Sequence, residues 1–540
     1  MKRLTRSVIG GSQVEMFEQA RRAPGGAGKK PTIVFDDRDP YEIFIGTQRL
    51  DRYLRSSGSG WVIQVREALR DLAWDGFIEA YEKRGRPPYH PASMTGLILY
   101  GTMMGQHSLR ELERLARMDV GAMWVCGGIC PDHASLGRFI QLHQARLTEK
   151  FFEDVTRFVV KRLGCKATVV AGDGTVIEAA GSRFRMMKQE AARQAAAEAS
   201  ERAKQSPEDA VLERKAEQAA KVAAAADERV TRRQTGKTPK NPGANAVCRT
   251  DPDAPLLKTK RGVYSPGFMP SALANEERVI LGQHVLPSSE AEAVGRMLEQ
   301  AKRVAGPVET VLLDGNYCNG TVMDALGKQD VTVICPPKPA TQKKKKEERK
   351  AFPKADFRYD SELDVYTCPA GRQMRRRGIG HKGGLTYIRY APSSRTCKNC
   401  PLRKQCLTGT QARRDIQRFP TDEFREALQI TNALSRAASL MKRRKAIVEP
   451  VFSDLRGVQK LNRFRRYGLA GARVEYALHA AAYNVRRMIT LLARRTGAAE
   501  GRPFSVVAGW CTLALALALN SFSNWLSGTR KVREFSSATA

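Results

Sequence analysis

Ala167-Thr168-Val169-Val170-Ala171-Gly172-Asp173-Gly174-Thr175-Val176-Ile177 decides the fold. Up to Gly164 the apolar residues recur at helical spacing. Here the period changes: a β-prone run from Ala167 to Ala171 ends in Gly172-Asp173-Gly174, and Thr175-Val176-Ile177 resumes it, which reads as two strands about a tight turn or bulge. Downstream, Val279 to Val285 predicts another strand and Ala291 to Val304 an amphipathic helix. Thr310 to Leu313 predicts a buried strand ending at Asp314, and Val331 to Cys335 one more. Strand, helix and strand in that order imply an α/β core with a mixed or partly parallel sheet.

Upstream, residues 1–60 are Gly- and Arg-rich and read as an arm, and residues 61–164 as a helical domain. Pro91 starts a helix through Leu97, Ile98, Leu99 and Tyr100, Ser108 and Glu111 make a capping box for Leu109 to Met118, and a third helix begins near Asp132 or His133. With Arg110, Arg114, Arg117 and Arg138 facing outward, this suits a DNA-binding domain; a plain helical bundle is the alternative. The core then comprises residues 165–188, 246–337 and 431–500, with two insertions. Residues 189–245 read as a pair of exposed helices, Ser206-Pro207-Glu208-Asp209 supplying a cap and a Pro at the first helical position. Residues 338–430 open with Lys343-Lys344-Lys345-Lys346 and hold the densest cysteine cluster, and residues 501–540 form a tail with a short apolar helix.

Lysine and arginine number 91 against 56 acids, a net charge of +35 that calls for a polyanion, with nucleic acid the natural candidate and an Arg-rich solvated surface the bland account. The most apolar run, Val506 to Leu519, is 14 residues, short of the roughly 20 that span a bilayer. Met1 to Phe17 has no apolar core of signal-peptide length, and eleven scattered cysteines fit a reducing cytoplasm better than a disulfide framework, so a cytoplasmic protein without membrane contact is expected.

Asp173 and Asp314 each end a short apolar strand and precede a glycine, so both carboxylates emerge at one sheet edge. Two acids brought together repel unless a cation lies between them, and magnesium prefers oxygen ligands. Glu449, within Lys442-Arg443-Arg444-Lys445-Ala446-Ile447-Val448-Glu449-Pro450-Val451-Phe452, is the best third acid. On a continuous helix Lys445 and Arg456 share its face and grip phosphates beside the metals; Pro450 forces either a kink or a helix start near Glu449, and the latter takes Lys445 off that face. Taken singly, an Asp-Gly turn or a Glu in a basic helix is ordinary structure, and Glu178, Asp324 and Asp454 are read as structural acids.

Gly172-Asp173-Gly174-Thr175, Leu312-Leu313-Asp314-Gly315-Asn316-Tyr317, and Val448-Glu449-Pro450-Val451-Phe452 with Arg463-Phe464-Arg465-Arg466-Tyr467-Gly468-Leu469 and Asn484 resemble the signature blocks of bacterial insertion-sequence DDE transposases. Gly85-Arg86-Pro87-Pro88-Tyr89-His90-Pro91, Ser108 to Glu113, Pro131-Asp132-His133 and Arg138-Phe139 resemble the helical domain that precedes the catalytic core in that family. Gly315-Asn316-Tyr317 stands where Ala-Gly-Tyr is more usual, and Ser453 and Arg456 where Gly and Lys are. The resemblance covers about residues 40 to 495 and implies a ribonuclease-H-like core, with Asp173, Asp314 and Glu449 holding two magnesium or manganese ions. It implies cleavage at the ends of a mobile element and attack of the freed 3′ hydroxyl on target DNA. Double-stranded DNA is the expected partner, with Lys445, Arg456, Arg463, Arg465 and Arg466 as its contacts, and pairing of two ends implies a dimer or larger assembly. A non-cleaving DNA-binding remnant or repressor, or an unrelated metal-dependent nuclease, are the alternatives.

Cys368, Cys397, Cys400 and Cys406 are spaced by 28, two and five residues, and the Cys-X-X-Cys step is a usual half of a structural zinc site. Free thiols packed in a small subdomain are the equal alternative.

Overall fold

The computed structural model describes residues 35–36, 38–81, 87–234, 246–289, 292–317, 320–327, 329–336, 352–382, 385–407, 411–420 and 422–495. The Lys343–Lys346 run, the apolar stretch 506–519 and most of the 1–60 arm lie outside them.

Local signals place the first helices. His90 caps α3 (Pro91–Met103), which has Pro91 at its first position, and α1 (Leu50–Ser56) and α2 (Trp61–Arg70) precede it. Ser108 and Glu111 form a reciprocal capping box on α4 (Leu109–Met118). After α5 (Val120–Cys126), Asp132 accepts from the Ser135 backbone N–H at the start of α6 (His133–Leu142). Arg110, Arg114, Arg117 and Arg138 are all exposed. α7 (Glu149–Leu163) stops at Gly164, whose φ of 62° is the left-handed conformation that favours glycine.

Beyond it the chain forms a mixed sheet. β1 (Val169–Gly174), β2 (Tyr264–Asn275), β3 (Ile280–Leu286), β4 (Thr310–Leu312) and β5 (Thr332–Ile334) lie in the spatial order β3-β2-β1-β4-β5. β1, β2 and β3 pair antiparallel, whereas β1, β4 and β5 run parallel, so the protein is mixed α/β. Both faces are covered, as parallel strands require. Val170, Leu273, Val311 and Val333 face one core with α10 (Ala293–Ala305) and the N-terminal helices. Ala171, Ala272, Leu312 and Ile334 face a second core with α12 (Ser435–Gly457). Strand β3 presses so closely on α10 that a Cβ at Gly282 would sit 2.2 Å from the Met297 carbonyl.

α13 (Gly468–Arg495) contributes to both cores: Val474, Leu478 and Val485 to the first, Tyr476 and Ala477 to the second. Its buried Asn484 pins strand β3. The amide accepts from Ile280 N at 2.8 Å and donates to Ile280 O at 2.7 Å and to Thr156 Oγ1 at 3.0 Å.

Two further units flank this core. α8 (Gln189–Gln205) and α9 (Ala210–Gln234) pack together, and the N-terminal cap of α9 is Asp209, accepting from Val211 N at 2.8 Å, rather than Ser206. The second is a five-stranded antiparallel sheet of β6 (Arg358–Asp360), β7 (Val365–Thr367), β8 (Gln373–Lys382), β9 (Leu385–Ala391) and β10 (Ile416–Arg418) in sequential order. Phe357, Tyr366, Met374, Tyr390 and Ile416 form its core, and Arg418 lies 3.5 Å above the Tyr359 ring. α11 (Asp422–Ala433) leads from it back to α12. None of the helices among the described residues is long and apolar enough to cross a membrane.

Candidate active site

Parallel register brings the two aspartates together. Thr310, Val311 and Leu312 pair with Val169, Val170 and Ala171, so continuing two residues along each strand sets Asp314 beside Asp173 on neighbouring strands. Adjacent strands lie about 4.8 Å apart. Gly172 makes room for the approach, since a Cβ there would sit 2.7 Å from Leu313 Cδ2. Each carboxylate is also held locally: Asp173 Oδ1 accepts from Gly174 N at 2.9 Å and Asp314 Oδ1 from Asn316 N at 2.8 Å.

A cation stands between them. Arg444 of α12 is buried, and its Nη2 lies 3.8 Å from Asp173 Oδ1 and 3.6 Å from Asp314 Oδ2. These are charge contacts longer than hydrogen bonds, and the Arg444 Nε, also buried, has no hydrogen-bond partner. Burial raises the Asp173 carboxyl above its ordinary range, Arg444 and the Gly174 N–H oppose that shift, and Asp314 adds to it. Sequence reasoning passed over Arg444, because one arginine in a run of four basic residues reads as solvated. Its helical phase is the usable signal: Arg444, Ile447, Val448, Val451 and Leu455 form one buried stripe.

Pro450 neither starts nor ends a helix; α12 continues through it from Ser435 to Gly457. Its missing donor would have served Ala446, which is exposed and can bond to water. Glu449 is exposed on the flank of that helix. It stands between two anchor points, Arg444 at the aspartates and Arg456, which donates to Val176 O at 2.8 Å and to Thr175 Oγ1 just beyond Asp173. Helical geometry puts Glu449 roughly 7.5 Å along the axis from Arg444 and roughly 10.5 Å from Arg456. Lys445 is exposed four residues before it. The structure thus brings Asp173 and Asp314 onto one guanidinium and sets Glu449 on the helix that carries it.

The other basic residues fall into two groups. Arg463 donates to the carbonyls of Ala179, Ala180 and Gly181, and Arg466 is half-buried beside Glu475. Arg465 is exposed, 3.9 Å from Glu111. Asp454 is paired with Arg486 at 2.8 Å, and the backbone of Glu178 bridges to Arg463. The Asp324 side chain lies outside what the structure describes.

Cys368, Cys397, Cys400 and Cys406 line one pocket with Arg403 and Arg414. All four are free thiols, and burial together with the neighbouring sulfurs pushes Cys406 up while Arg414 pulls it down. Among the described residues, the group of three potential ligands whose donor atoms all lie within 4.8 Å of one another is a different one: His107, Glu475 and His479. No sequence motif links these three.

Comparison with known families matches residues 62–142 to a transposase domain of the kind designated DUF772, and residues 367–489 to a transposase DDE domain. The first match covers α2 to α6; the second runs from the end of β7 through Glu449 to α13. No curated protein matches the chain. An N-terminal transposase domain followed by a C-terminal DDE domain indicates the insertion-sequence DDE transposase family.

Proposed function

We propose that the protein cuts the ends of an insertion sequence and joins the freed 3′ hydroxyls to target DNA, on a ribonuclease-H-like core whose acids are Asp173, Asp314 and Glu449. The sheet order β3-β2-β1-β4-β5, with three antiparallel strands followed by parallel ones, supports that core. The observation that carries the reading is the register of Asp173 with Asp314 at the ends of adjacent parallel strands, with Arg444 between them.

The residues fit a divalent cation. A buried guanidinium already supplies positive charge between the two aspartates, at contacts too long to be hydrogen bonds, and the aspartates offer carboxylate oxygens. Asp173 and Asp314, with Glu449 from α12, would hold two magnesium or manganese ions, which when bound activate the attacking oxygen and stabilise the leaving one. The chain's own groups position the rest. Arg444 balances the aspartates between catalytic cycles. Arg456 fixes the Thr175 turn beside Asp173. Lys445, Arg463 and Arg465, exposed on or after α12, offer charge to DNA phosphates, with Arg456 and Arg466 lying deeper. The four cysteines hold a structural zinc ion in this reading, and synapsis of two ends requires at least two copies of the chain.

A second reading, a DNA-binding protein that does not cut, draws on the same Arg444, which neutralises the aspartates without any metal. Incubation with DNA carrying the element's terminal repeats and magnesium separates the two. Cleavage by the natural chain that is lost in Asp173→Asn supports the transposase; specific end binding with no cleavage by either supports the second reading.

A further inference from the structure

Glu475 lies on α13 with only 6% of its surface exposed. Its Oε2 accepts from Arg465 N at 2.8 Å and Arg466 N at 3.2 Å, whereas its Oε1 is buried without a hydrogen-bond partner. One helical turn later comes His479, 1% exposed, whose Nδ1 is 2.8 Å from the Gln459 side-chain amide. His107 reaches both from the turn between α3 and α4. Its Nε2 is likewise buried without a partner. The two imidazoles meet edge to face, with centroids 4.8 Å apart.

Donor and acceptor accounting makes this arrangement informative. A neutral imidazole carries one N–H and one lone pair, so the His107 Nε2 can present its lone pair. When ionised, Glu475 also offers only lone pairs at Oε1. The Glu475 Oε1 and the His107 Nε2 are thus both buried without a hydrogen-bond partner, a costly arrangement unless something positive joins them. They are too far apart to share a proton directly, since neither atom has a partner at hydrogen-bond distance. The donor atoms of His107, Glu475 and His479 nevertheless lie within 4.8 Å of one another. An ion with bonds of about 2.0–2.1 Å holds tetrahedral ligands about 3.3 Å apart, so a small closure brings all three onto it. The surrounding contacts hold these groups in place: the Gln459 amide lies against His479 Nδ1, and two N–H groups fix the second carboxylate oxygen of Glu475.

We propose that His107, Glu475 and His479 bind one divalent transition-metal ion of the zinc kind, pinning the turn ahead of α4 to the buried helix α13. The site is separate from Asp173 and Asp314 and has nitrogen donors that suit zinc better than magnesium. Arg465 and Lys460 add positive charge nearby and moderate the affinity, and Glu111 offsets Arg465. The ion joins the N-terminal helices to the core at a place where the backbones already touch: a Cβ at Gly105 would lie 2.5 Å from the Val458 carbonyl.

The test uses the full chain carrying Cys397→Ser and Cys400→Ser, so that thiolates do not compete. After chelator treatment and loading with zinc, about one ion per chain is expected to remain through gel filtration. Adding His107→Ala should lower retention at least tenfold with an unchanged circular-dichroism spectrum, and His107→Cys should restore it. Cobalt loading should give a tetrahedral visible spectrum without a thiolate charge-transfer band, and His107→Cys should add that band. Absence of retained metal in the Cys→Ser background, or full retention after His107→Ala, overturns the proposal.

Discussion

Replacing Arg444 with methionine should tighten magnesium binding. Each charge contact, at 3.6 Å and 3.8 Å, is worth about 4 kcal/mol at an effective dielectric of about 20. The Asp173 and Asp314 side chains are 24% and 32% exposed, so water screens part of that attraction, and the guanidinium has itself lost hydration. A net of about 2 kcal/mol remains, which a cation must displace or share. Methionine keeps most of the buried volume and removes the charge, so magnesium affinity should rise about 30-fold at 1.4 kcal/mol per decade. The metal-free variant should also be less stable, because two neighbouring carboxylates then face each other without a counter-charge. The assay is calorimetric titration of the DNA-free protein with magnesium, accompanied by thermal melts with and without the ion. Equal or weaker binding by Arg444→Met would refute the idea that this guanidinium stands in for the metal.

Other predictions concern the scaffold. Burial pushes Asp251 up to about 6 from an ordinary 3.8, against the opposing Gly468 N–H, so the folded chain holds a proton that the unfolded chain releases across that window. The sign follows: this contribution is most favourable below the unfolded value and is lost as pH rises through about 6. Asp251→Asn should therefore flatten the stability profile between those pH values and raise urea stability at neutral pH by about 2 kcal/mol; an unchanged slope would count against it. Asn484→Ala strands the Ile280 N–H and carbonyl and should lower unfolding free energy by about 3 kcal/mol, with a loss under about 1 kcal/mol showing that water replaces the amide. Zinc at the cysteine pocket should be lost in Cys397→Ser with Cys400→Ser while the His107 site keeps its own ion. Metal-free pocket cysteines in natural, fully folded protein would leave them as packed thiols.

Features set by neighbouring residues were legible in the sequence. Pro91, the Ser108–Glu111 box and Asp132 act within one helical turn, and each starts its helix where their chemistry dictates. Asp173 and Asp314 could be placed at one sheet edge because each ends an apolar strand ahead of a glycine. Strand β2 was missed, since Pro266, Gly267 and Pro270 argue against a strand; it persists because β1 and β3 pair with it over its second half. Arg444 escaped notice because burial of a charge depends on what the opposite wall supplies. His107 and Glu475 belong to distant parts of the chain, and only tertiary packing shows that their lone pairs share one space.

Because α13 fills the space between the sheet and the N-terminal helices, the ribosome must translate past residue 468 before either core can close. A nascent chain halted earlier would expose Val170, Ala272 and their neighbours to chaperones and proteases, and could not present Asp173 and Asp314 on a finished wall. Completion of α13 is therefore what allows both cores to close.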